Sequence, residues 1–218
     1  MKKLLLVASV ILMGVVTKAQ ETRFGVKAGY SLTTLKVDGD QDDLEERSTD
    51  PSHTFYVGGL VEHKFSDTFG IQGEILYSPL GGKEDYNVSE GQAYFREKTK
   101  VKFGTLLIPV SAKYFITENL SVALGASFGV ILSAKQKTVI DAGIGIPGLE
   151  LEGDDEVDIK DDVNTLNIAP FLGAEFMLEN GLFFDARYNY GLSDLSKSSG
   201  KITNSFLQVG VGFKFGGN

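Results

Sequence analysis

The sequence contains no cysteine. This absence excludes two classes of protein, lipid-anchored lipoproteins and secreted domains stabilised by disulfides, because both need cysteine. It also excludes metal sites built on thiolates. Any structure that the chain adopts outside the cytoplasm is therefore stabilised by burial and hydrogen bonding.

Histidine is scarce, and two common catalytic motifs are missing. The chain has two histidines, and it has no GxxxxGK[ST] or HExxH motif. Its GxSxG match, GASFG at residues 125–129, lies within an alternating run typical of a strand and not at a strand-to-helix turn. A hydrolase at the rim of a barrel is an open alternative, because Ser48, Asp50 and Ser52 lie close to His53 in the sequence. A histidine in a polar loop is more often a solvated residue, and His63 has no evident partner. We therefore expect no enzymatic activity, no catalytic residue and no bound cofactor.

Long apolar runs are also rare. After the first 20 residues, no stretch of 18 consecutive apolar residues occurs, so a helical membrane protein is excluded. The start of the chain has two lysines, an apolar run over residues 4–16 and an end at Ala19, which is the pattern of a secretory signal. A membrane anchor is the alternative, but the run is too short to span a bilayer. We expect cleavage after Ala19, which separates a signal peptide, residues 1–19, from one domain, residues 20–218.

The clearest pattern in the sequence is a pair of apolar segments within residues 103–132. Thr117, Glu118 and Asn119 join them as a tight turn, which predicts a β-hairpin. In the second arm, bulky apolar residues alternate with Ala, Gly and Ser, so the strand has one apolar face and one small face. A soluble ligand-carrying barrel would place Lys, Glu and Thr on its water-facing side. Small residues suit a cramped interior, so we expect the bulky side chains to face lipid along the ~9 to 11 residues that cross a bilayer.

The same alternation recurs along the chain and predicts eight strands. Their approximate ranges are 23–32, 55–65, 69–78, 98–112, 120–132, 166–176, 184–190 and 207–215. The connections alternate between long and short, which is the layout of outer-membrane barrels with short periplasmic turns and long extracellular loops. We therefore predict an all-β fold for residues 20–218, an eight-stranded antiparallel transmembrane up-and-down β-barrel of the outer membrane. Both chain termini would lie in the periplasm.

Four local irregularities are expected within this layout. The segment PLGG at residues 79–82 should end the third strand. A bulge near Gly104 should reconcile two phases of alternation in the fourth strand. Pro170 should distort the sixth strand, because proline lacks a donor for the strand ladder. The segment ENG at residues 179–181 carries the sequence of a type I′ turn.

Aromatic and charged residues are sorted between the two faces of the strands. Two outward aromatic girdles are expected at the membrane interfaces, one made of Phe24, Phe65, Phe69, Tyr114, Phe176, Phe184 and Phe213 and the other of Tyr30, Tyr77 and Tyr190.

Ten charged residues fall on the inward face: Arg23, Lys27, Glu62, Lys64, Glu74, Lys113, Glu175, Asp185, Arg187 and Lys214. Buried charges must pair, and an eight-stranded barrel is just wide enough to be filled by side chains. We expect Glu62 or Glu74 to face Arg or Lys across a packed lumen that does not conduct.

The negative charge is confined to two segments, which we predict to be loops. Residues 37–53 carry seven acids and one base, and residues 134–164 carry nine acids and three bases. The segment DGDQD at residues 38–42 has the spacing of an EF-hand start, but the required Gly and the closing Glu are missing. The acids of residues 150–158 are more typical of a solvated loop than of a cation site. We expect no metal site, and the acidic exterior argues against nucleic acid as a partner.

Several stretches resemble a known family. The signal ending in Ala19, GVKAGYSLTTL at residues 25–35, LLIPVSAKY at residues 106–114 and QVGVGFKF at residues 208–215 are similar to the outer-membrane β-barrel family of Bacteroidetes, also called porin-family or PorT-like proteins. The resemblance implies an eight-stranded barrel that the Sec pathway exports and the barrel-assembly machinery inserts. It implies no shared active-site residue. That machinery recognises a terminal strand ending in an aromatic residue, and here a Gly-Gly-Asn tail follows the last phenylalanine.

The sequence thus predicts a non-enzymatic integral outer-membrane protein with a structural or surface-interaction role through long acidic extracellular loops. A narrow, porin-like pore for small solutes is the first alternative, followed by an outer-membrane hydrolase and a soluble periplasmic binding barrel. The expected partners are outer-membrane lipid and lipopolysaccharide, the barrel-assembly machinery during insertion, and an extracellular ligand or protein at the acidic loops. We expect a monomer.

Overall fold

The computed structural model describes residues 22–38, 47–90, 93–143, 150–198 and 200–217. The predicted signal peptide and residues 39–46 of the first acidic segment lie outside the described residues. The strands are β1 (Thr22–Asp38), β2 (Arg47–Ser48), β3 (Ser52–Lys64), β4 (Phe69–Glu90), β5 (Ala93–Phe115), β6 (Leu120–Gly143), β7 (Glu150–Asp158), β8 (Leu166–Met177), β9 (Leu182–Asn189) and β10 (Lys201–Phe215). A short 3₁₀ helix, Lys160–Asp162, precedes β8. Within the described ranges, no helix has the length and apolarity needed to cross a membrane.

Eight of these strands form one closed antiparallel ring in the order β1, β3, β4, β5, β6, β8, β9, β10. The ring closes because β10 pairs with β1, from Phe24 opposite Phe215 to Asp38 opposite Lys201. Closure leaves no free sheet edge in the ring, so the backbone groups of each strand find partners on both sides. The predicted eight-stranded up-and-down barrel is confirmed.

The outward face of the ring carries the bulky apolar side chains, as predicted. Leu124 and Leu172 lie opposite each other on β6 and β8 and are 66% and 64% exposed. Such a belt is unfavourable in water and favourable in hydrocarbon. Residues of the predicted girdle at the end with the chain termini also point outward, and the ring centroids of Phe69 and Tyr114 lie 5.1 Å apart.

Strand β4 does not end at residues 79–82, which corrects the prediction. It continues to Glu90, because Gly81 adopts a φ of +141° and the ladder with β5 keeps its register. On its other side, β4 loses the ladder with β3 after Tyr77. The Oγ1 atom of Thr33 takes over at this point, since it donates to the Gly81 carbonyl at 2.9 Å and accepts from the Gly81 N–H at 3.2 Å. A side chain therefore replaces the missing strand partner.

The connections after β4 and β6, predicted to be long loops, are mostly strand. Strands β4, β5 and β6 extend beyond the ring as a sheet, and β7 pairs with the end of β6 as a fourth strand. We call this sheet, residues 83–90, 93–103, 133–143 and 150–158, the protruding sheet. The second acidic segment thus contains the end of β6 and the edge strand β7. The sequence did not indicate the protruding sheet, because a sheet outside the membrane need not alternate apolar with small residues.

The predicted bulge lies at the expected height of the barrel but on the other strand. The register of β5 and β6 shifts between Gly104 and Thr105, and Leu132 of β6 is the extra residue. Along β6, Ile131 is buried below the shift and Ala134 above it, so the inward phase changes there. The residues of β6 that point inward therefore change from odd to even numbers at the bulge, whereas on β5 the odd-numbered residues point inward along the whole strand.

Two other local predictions are wrong. Pro170 causes no shift in the register of β6 and β8, and its carbonyl accepts a hydrogen bond from the Tyr190 N–H at 2.9 Å. Strand β9 ends just before Tyr190, so the donor that proline lacks falls where its partner strand stops. The turn at residues 179–181 is not type I′, which needs positive φ at both central residues, since Gly181 alone has a positive φ there, +88°. It is a three-residue hairpin loop with glycine in its last position.

Candidate functional site

Four charged side chains form a quartet inside the barrel near the chain termini. Glu62, Lys113, Glu175 and Lys214 come from β3, β5, β8 and β10, and all four are buried. The Lys113 Nζ atom lies 2.6 Å from Glu62 and 2.7 Å from Glu175. The Lys214 Nζ atom lies 2.7 Å from Glu62 and 2.5 Å from Glu175. Each ammonium group therefore contacts two carboxylates, and each carboxylate contacts two ammonium groups.

A second group of paired charges lies deeper in the lumen. Arg187 donates to Glu74 at 3.0 Å and to Gln208 at 2.8 Å. Lys27 Nζ lies 2.6 Å from Asp185 and 3.4 Å from Glu74. These contacts join β1, β4, β9 and β10 across the barrel. We call the two groups together the charge network.

The charge network is neutral and tightly filled. Gln72 connects its two halves, because its amide donates to Glu74 at 2.8 Å and its carbonyl accepts from Lys113 at 3.2 Å. A cavity between the halves has a volume of about 20 Å³, which is room for one water molecule. The prediction that Glu62 or Glu74 faces a base across the lumen is confirmed for both residues.

Two of the ten predicted inward charges lie outside the charge network. Arg23 and Lys64 are half-buried at the end of the barrel that carries the chain termini. The Lys64 Nζ atom lies 4.2 Å from the ring centroid of Phe115, which is a cation–π distance. These two residues line that end of the barrel, and their charges do not neutralise any acid of the charge network.

Beyond the charge network the lumen contains a cluster of apolar side chains, a feature that the sequence prediction missed, together with buried polar residues such as Asn167, Asn189 and Asn204. The buried side chains that fill it, here called the apolar plug, are Leu35, Tyr56, Leu76, Leu80, Phe103, Leu107, Ile131, Ala134, Val163, Ala169, Leu195 and Phe206. Val163 and Leu195 come from the connections before β8 and after β9. The backbone N–H of Leu195 donates to Ile202 at 2.7 Å, and its carbonyl accepts from Asn164 at 2.9 Å. These bonds hold both connections over the end of the barrel that lies opposite the chain termini.

Tyr56 lies where the apolar plug meets the charge network. Lys27 Nζ is 5.5 Å from the centroid of the Tyr56 ring. The ring packs against Gly29 of β1, where an added Cβ would lie 2.6 Å from the ring and 2.2 Å from the Val209 carbonyl oxygen. Glycine is needed at this position because the close approach leaves no room for a side chain.

The residues of the hydrolase alternative do not come together. His53 is exposed on the outer face of β3, where its Nδ1 atom forms a hydrogen bond with the Tyr30 hydroxyl. Ser52 is buried and points to the opposite face, because neighbouring residues of a strand alternate. Ser48 belongs to β2, and Asp50 forms an isolated bridge to β4. Ser52, the serine next to His53 in the sequence, is therefore directed away from the histidine.

The remaining polar candidates are dispersed. The Nδ1 atom of His63 lies 2.8 Å from the Thr22 hydroxyl, so this histidine has a partner that the sequence did not reveal. Residues 40 and 42 of the EF-hand-like segment lie outside the described residues. In the part of the chain that is described, no three His, Asp or Glu side chains are grouped to hold a metal ion. Strand alternation places Glu152, Asp154, Glu156 and Asp158 on one face of β7 and Asp155 on the other.

Ion pairs attach β7 to the protruding sheet. Lys135 Nζ lies 2.5 Å from Glu156, and Lys137 Nζ lies 3.1 Å from Asp154. The hydrogen bond from Lys135, together with its charge, lowers the pKa of Glu156, and the same bond raises the pKa of Lys135. These side chains are exposed, so each pair is weak by itself. Opposite charges in register across two strands nevertheless favour their pairing.

A row of lysines lies on the outer face of the protruding sheet. Lys98, Lys100 and Lys102 alternate along β5 and point to the same side as Leu106 and Ile108 of the apolar belt. Within the described residues, Lys98 and Lys100 form neither an ion pair nor a hydrogen bond. Ammonium groups therefore stand directly beyond the side chains that face hydrocarbon.

A closed ring with an apolar outward belt, aromatic rims and a lumen full of paired charges defines an outer-membrane β-barrel. The chain belongs to the outer membrane protein beta-barrel domain family, whose model matches residues 18–197. The match includes β1 to β9 and ends before β10. In this class the short turns lie in the periplasm and the longer connections lie outside the cell.

Solved outer-membrane proteins are similar to this chain. Ail of Yersinia pestis is 15% identical, with 89% of this chain and 99% of that chain covered and a TM-score of 0.47. OprG of Pseudomonas aeruginosa is 14% identical, with 90% and 97% covered and a TM-score of 0.42. Neisserial surface protein A is 14% identical, with 88% and 97% covered and a TM-score of 0.39. A comparison with curated proteins found no match.

Proposed function

We propose that this protein is a closed, non-enzymatic outer-membrane barrel whose extracellular sheet serves surface interactions. The observation that carries the proposal is the filled lumen. The charge network occupies one half, and the apolar plug occupies the other. A pore needs a continuous aqueous path, whereas the cavity within the charge network holds about one water molecule. The protruding sheet is then the part of the molecule that is available to partners.

A conductance measurement tests the closed lumen. The mature chain, beginning at Gln20, is refolded and inserted into planar lipid bilayers, with a general porin as the positive control. We expect no steady single-channel current, and no swelling of liposomes in small sugars. Steady conductance of the native chain would support the runner-up, a narrow pore for small solutes, and would end the proposal.

The lysine row supports a lipid partner for the same barrel. Lys98, Lys100 and Lys102 follow the apolar belt along β5 and would meet the phosphate groups of outer-leaflet lipopolysaccharide, where each lysine near an anionic surface contributes about 1 kcal/mol. The test is the amount of lipopolysaccharide that copurifies with the barrel. Changing the three lysines to Gln should remove at least about half of it, whereas Lys64→Gln at the opposite end should not. Equal retention by both variants would contradict the lipid contact.

The route to the membrane is proposed from the sequence. The protein would carry a Sec signal that is cleaved after Ala19, and the barrel-assembly machinery would insert it through the aromatic end of β10. It would be a monomer related to the PorT-like proteins of Bacteroidetes. Support comes from the resemblance of residues 25–35, 106–114 and 208–215 to that group. Mass spectrometry of the protein extracted from outer membranes should find Gln20 as the first residue. Retention of residues 1–19 would contradict this.

A further inference from the structure

The inner face of the protruding sheet, which continues the lumen side of the barrel, carries an apolar patch of exposed side chains. Two neighbouring cross-strand rows form it, and its members are Tyr86, Val88, Phe95, Ile140, Ala142 and Leu151. The patch crosses all four strands and is therefore about 14 Å wide. Leu151 is 75% exposed, and the rings of Tyr86 and Phe95 lie 6.4 Å apart. Contiguous apolar side chains outside the membrane mark an interaction surface.

The charges on this inner face are all negative. Glu97 lies opposite both Tyr86 and Ile140, within the patch, and Glu84 and Asp155 lie in the next cross-strand row. The Thr99 hydroxyl contacts Glu97 at 3.4 Å, which places the carboxylate on this face. Among the described residues of the protruding sheet, every Lys and Arg falls on the outer face by strand alternation.

We propose that this inner face binds a cationic amphipathic segment of a second protein. The inference rests on the proposed surface role and adds the chemistry of the partner. Apolar side chains of that segment would cover the patch, and its Lys or Arg residues would meet Glu84, Glu97 and Asp155. A second copy of this chain is disfavoured, because face-to-face packing would bring the carboxylates of both copies together. Anionic polysaccharide is repelled for the same reason.

Defined peptides test the proposal without knowledge of the natural partner. The barrel is placed in nanodiscs of zwitterionic phosphatidylcholine, and fluorescence anisotropy measures the binding of labelled nine-residue peptides, with empty nanodiscs subtracted. A peptide of alternating Val and Lys should bind. Peptides of alternating Val and Glu, or of alternating Ser and Lys, should bind at least about tenfold more weakly. Higher salt should weaken the Val and Lys peptide, since its charges contribute.

Adjacent residues on opposite faces provide matched variants. Ile140 on the inner face and Val139 on the outer face are 38% and 37% exposed, so their replacement by Ser removes similar exposed groups. Ile140→Ser should weaken binding of the Val and Lys peptide at least about fivefold, and Val139→Ser should leave it unchanged. Glu97→Gln should weaken it and reduce its salt dependence, whereas Asp85→Asn on the outer face should do neither. Heat-modifiable gel mobility confirms that each variant retains the folded barrel.

Several results would overturn the inference. Equal binding of the Val and Glu peptide would contradict the charge argument, and equal effects of Ile140→Ser and Val139→Ser would contradict the assignment of the face. A dimer in sedimentation that Ile140→Ser abolishes would show that a second copy covers the patch. Absence of peptide binding by a barrel that is closed in bilayers defeats this inference alone. Conductance of the native barrel defeats the proposed function instead.

Discussion

Replacing Glu62 with Gln tests whether the charge quartet stabilises the barrel. Glu62 accepts hydrogen bonds from both Lys113 and Lys214, at 2.6 and 2.7 Å. The substitution keeps the shape of the side chain but leaves two ammonium groups with one carboxylate, Glu175. Removing one partner of a buried ion pair costs about 3 to 5 kcal/mol. We expect a loss near 3 kcal/mol, because Glu175 still contacts both lysines.

The assay is urea unfolding of the barrel in phospholipid vesicles, followed by gel mobility without heating. With an m-value of about 3 kcal/mol per molar urea, a loss of about 3 kcal/mol lowers the midpoint by about 1 M. The control is Glu118→Gln in the exposed turn between β5 and β6, which should move the midpoint by less than about 0.2 M.

A compensating substitution makes the test sharper. Lys214→Met in addition to Glu62→Gln leaves one ammonium group, that of Lys113, beside one carboxylate, that of Glu175. The quartet is neutral again, so the double variant should recover most of the loss and show a coupling energy in a double-mutant cycle. The reasoning is refuted if Glu62→Gln unfolds at the same urea concentration as Glu118→Gln, or if the losses from the two quartet substitutions simply add.

Three further predictions concern other parts of the molecule. Gly29→Ala should destabilise the barrel by about 1 to 3 kcal/mol in the same urea assay, because its Cβ would overlap the Tyr56 ring and a backbone carbonyl. Leu80→Ala should cost about 2 to 5 kcal/mol through a cavity in the apolar plug, yet bilayer recordings should remain silent because the charge network still closes the lumen. Protection of β7 from hydrogen exchange, corrected for the intrinsic pH dependence of exchange, should be highest between about pH 5 and 10. The lowered pKa of Glu156 gives stabilisation that is lost as pH falls through it, and the raised pKa of Lys135 gives stabilisation that is lost as pH rises through it.

Each of these predictions has a result that contradicts it. Native-like unfolding of Gly29→Ala would mean that the contact with Tyr56 is looser than the distances indicate. A steady current through the barrel of the Leu80→Ala variant would mean that the apolar plug alone closes the lumen. For β7, exchange corrected for its intrinsic pH dependence should differ between pH 3 and pH 7, and equal protection at both would exclude a role for the ion pairs.

The membrane-spanning part of the fold could be predicted from the sequence because its cause is local. Alternate residues of a strand point to opposite sides, so the parity of Glu62, Glu74 and Lys113 placed them inside before any partner was known. Their pairing followed from the cost of an isolated buried charge. The same parity places Leu76 and Leu80 inside, on the face of Glu74. The same alternation that marks the inward charges therefore marks the apolar plug as well, although the predicted inward face included only charged, polar and small residues.

The protruding sheet could not be predicted in the same way. Outside the bilayer both faces of a strand meet water, so no periodic contrast marks where β4, β5 and β6 end. The pairing of β7 with β6 places Lys135 opposite Asp158 and diagonal to Glu156, and these contacts between residues more than 20 positions apart can be recognised only once the register is known. The continuation of β4 depends on Thr33, which lies on a different strand.

The position of Lys214 on β10 has a consequence for assembly. Until the last strand docks, the two acids of the quartet share a single lysine, and the half-built interior carries surplus negative charge. Docking one residue out of step would turn Lys214 toward the hydrocarbon and leave that surplus in place. The charge on Lys214 therefore favours the native alignment of the last strand over any alignment shifted by an odd number of residues.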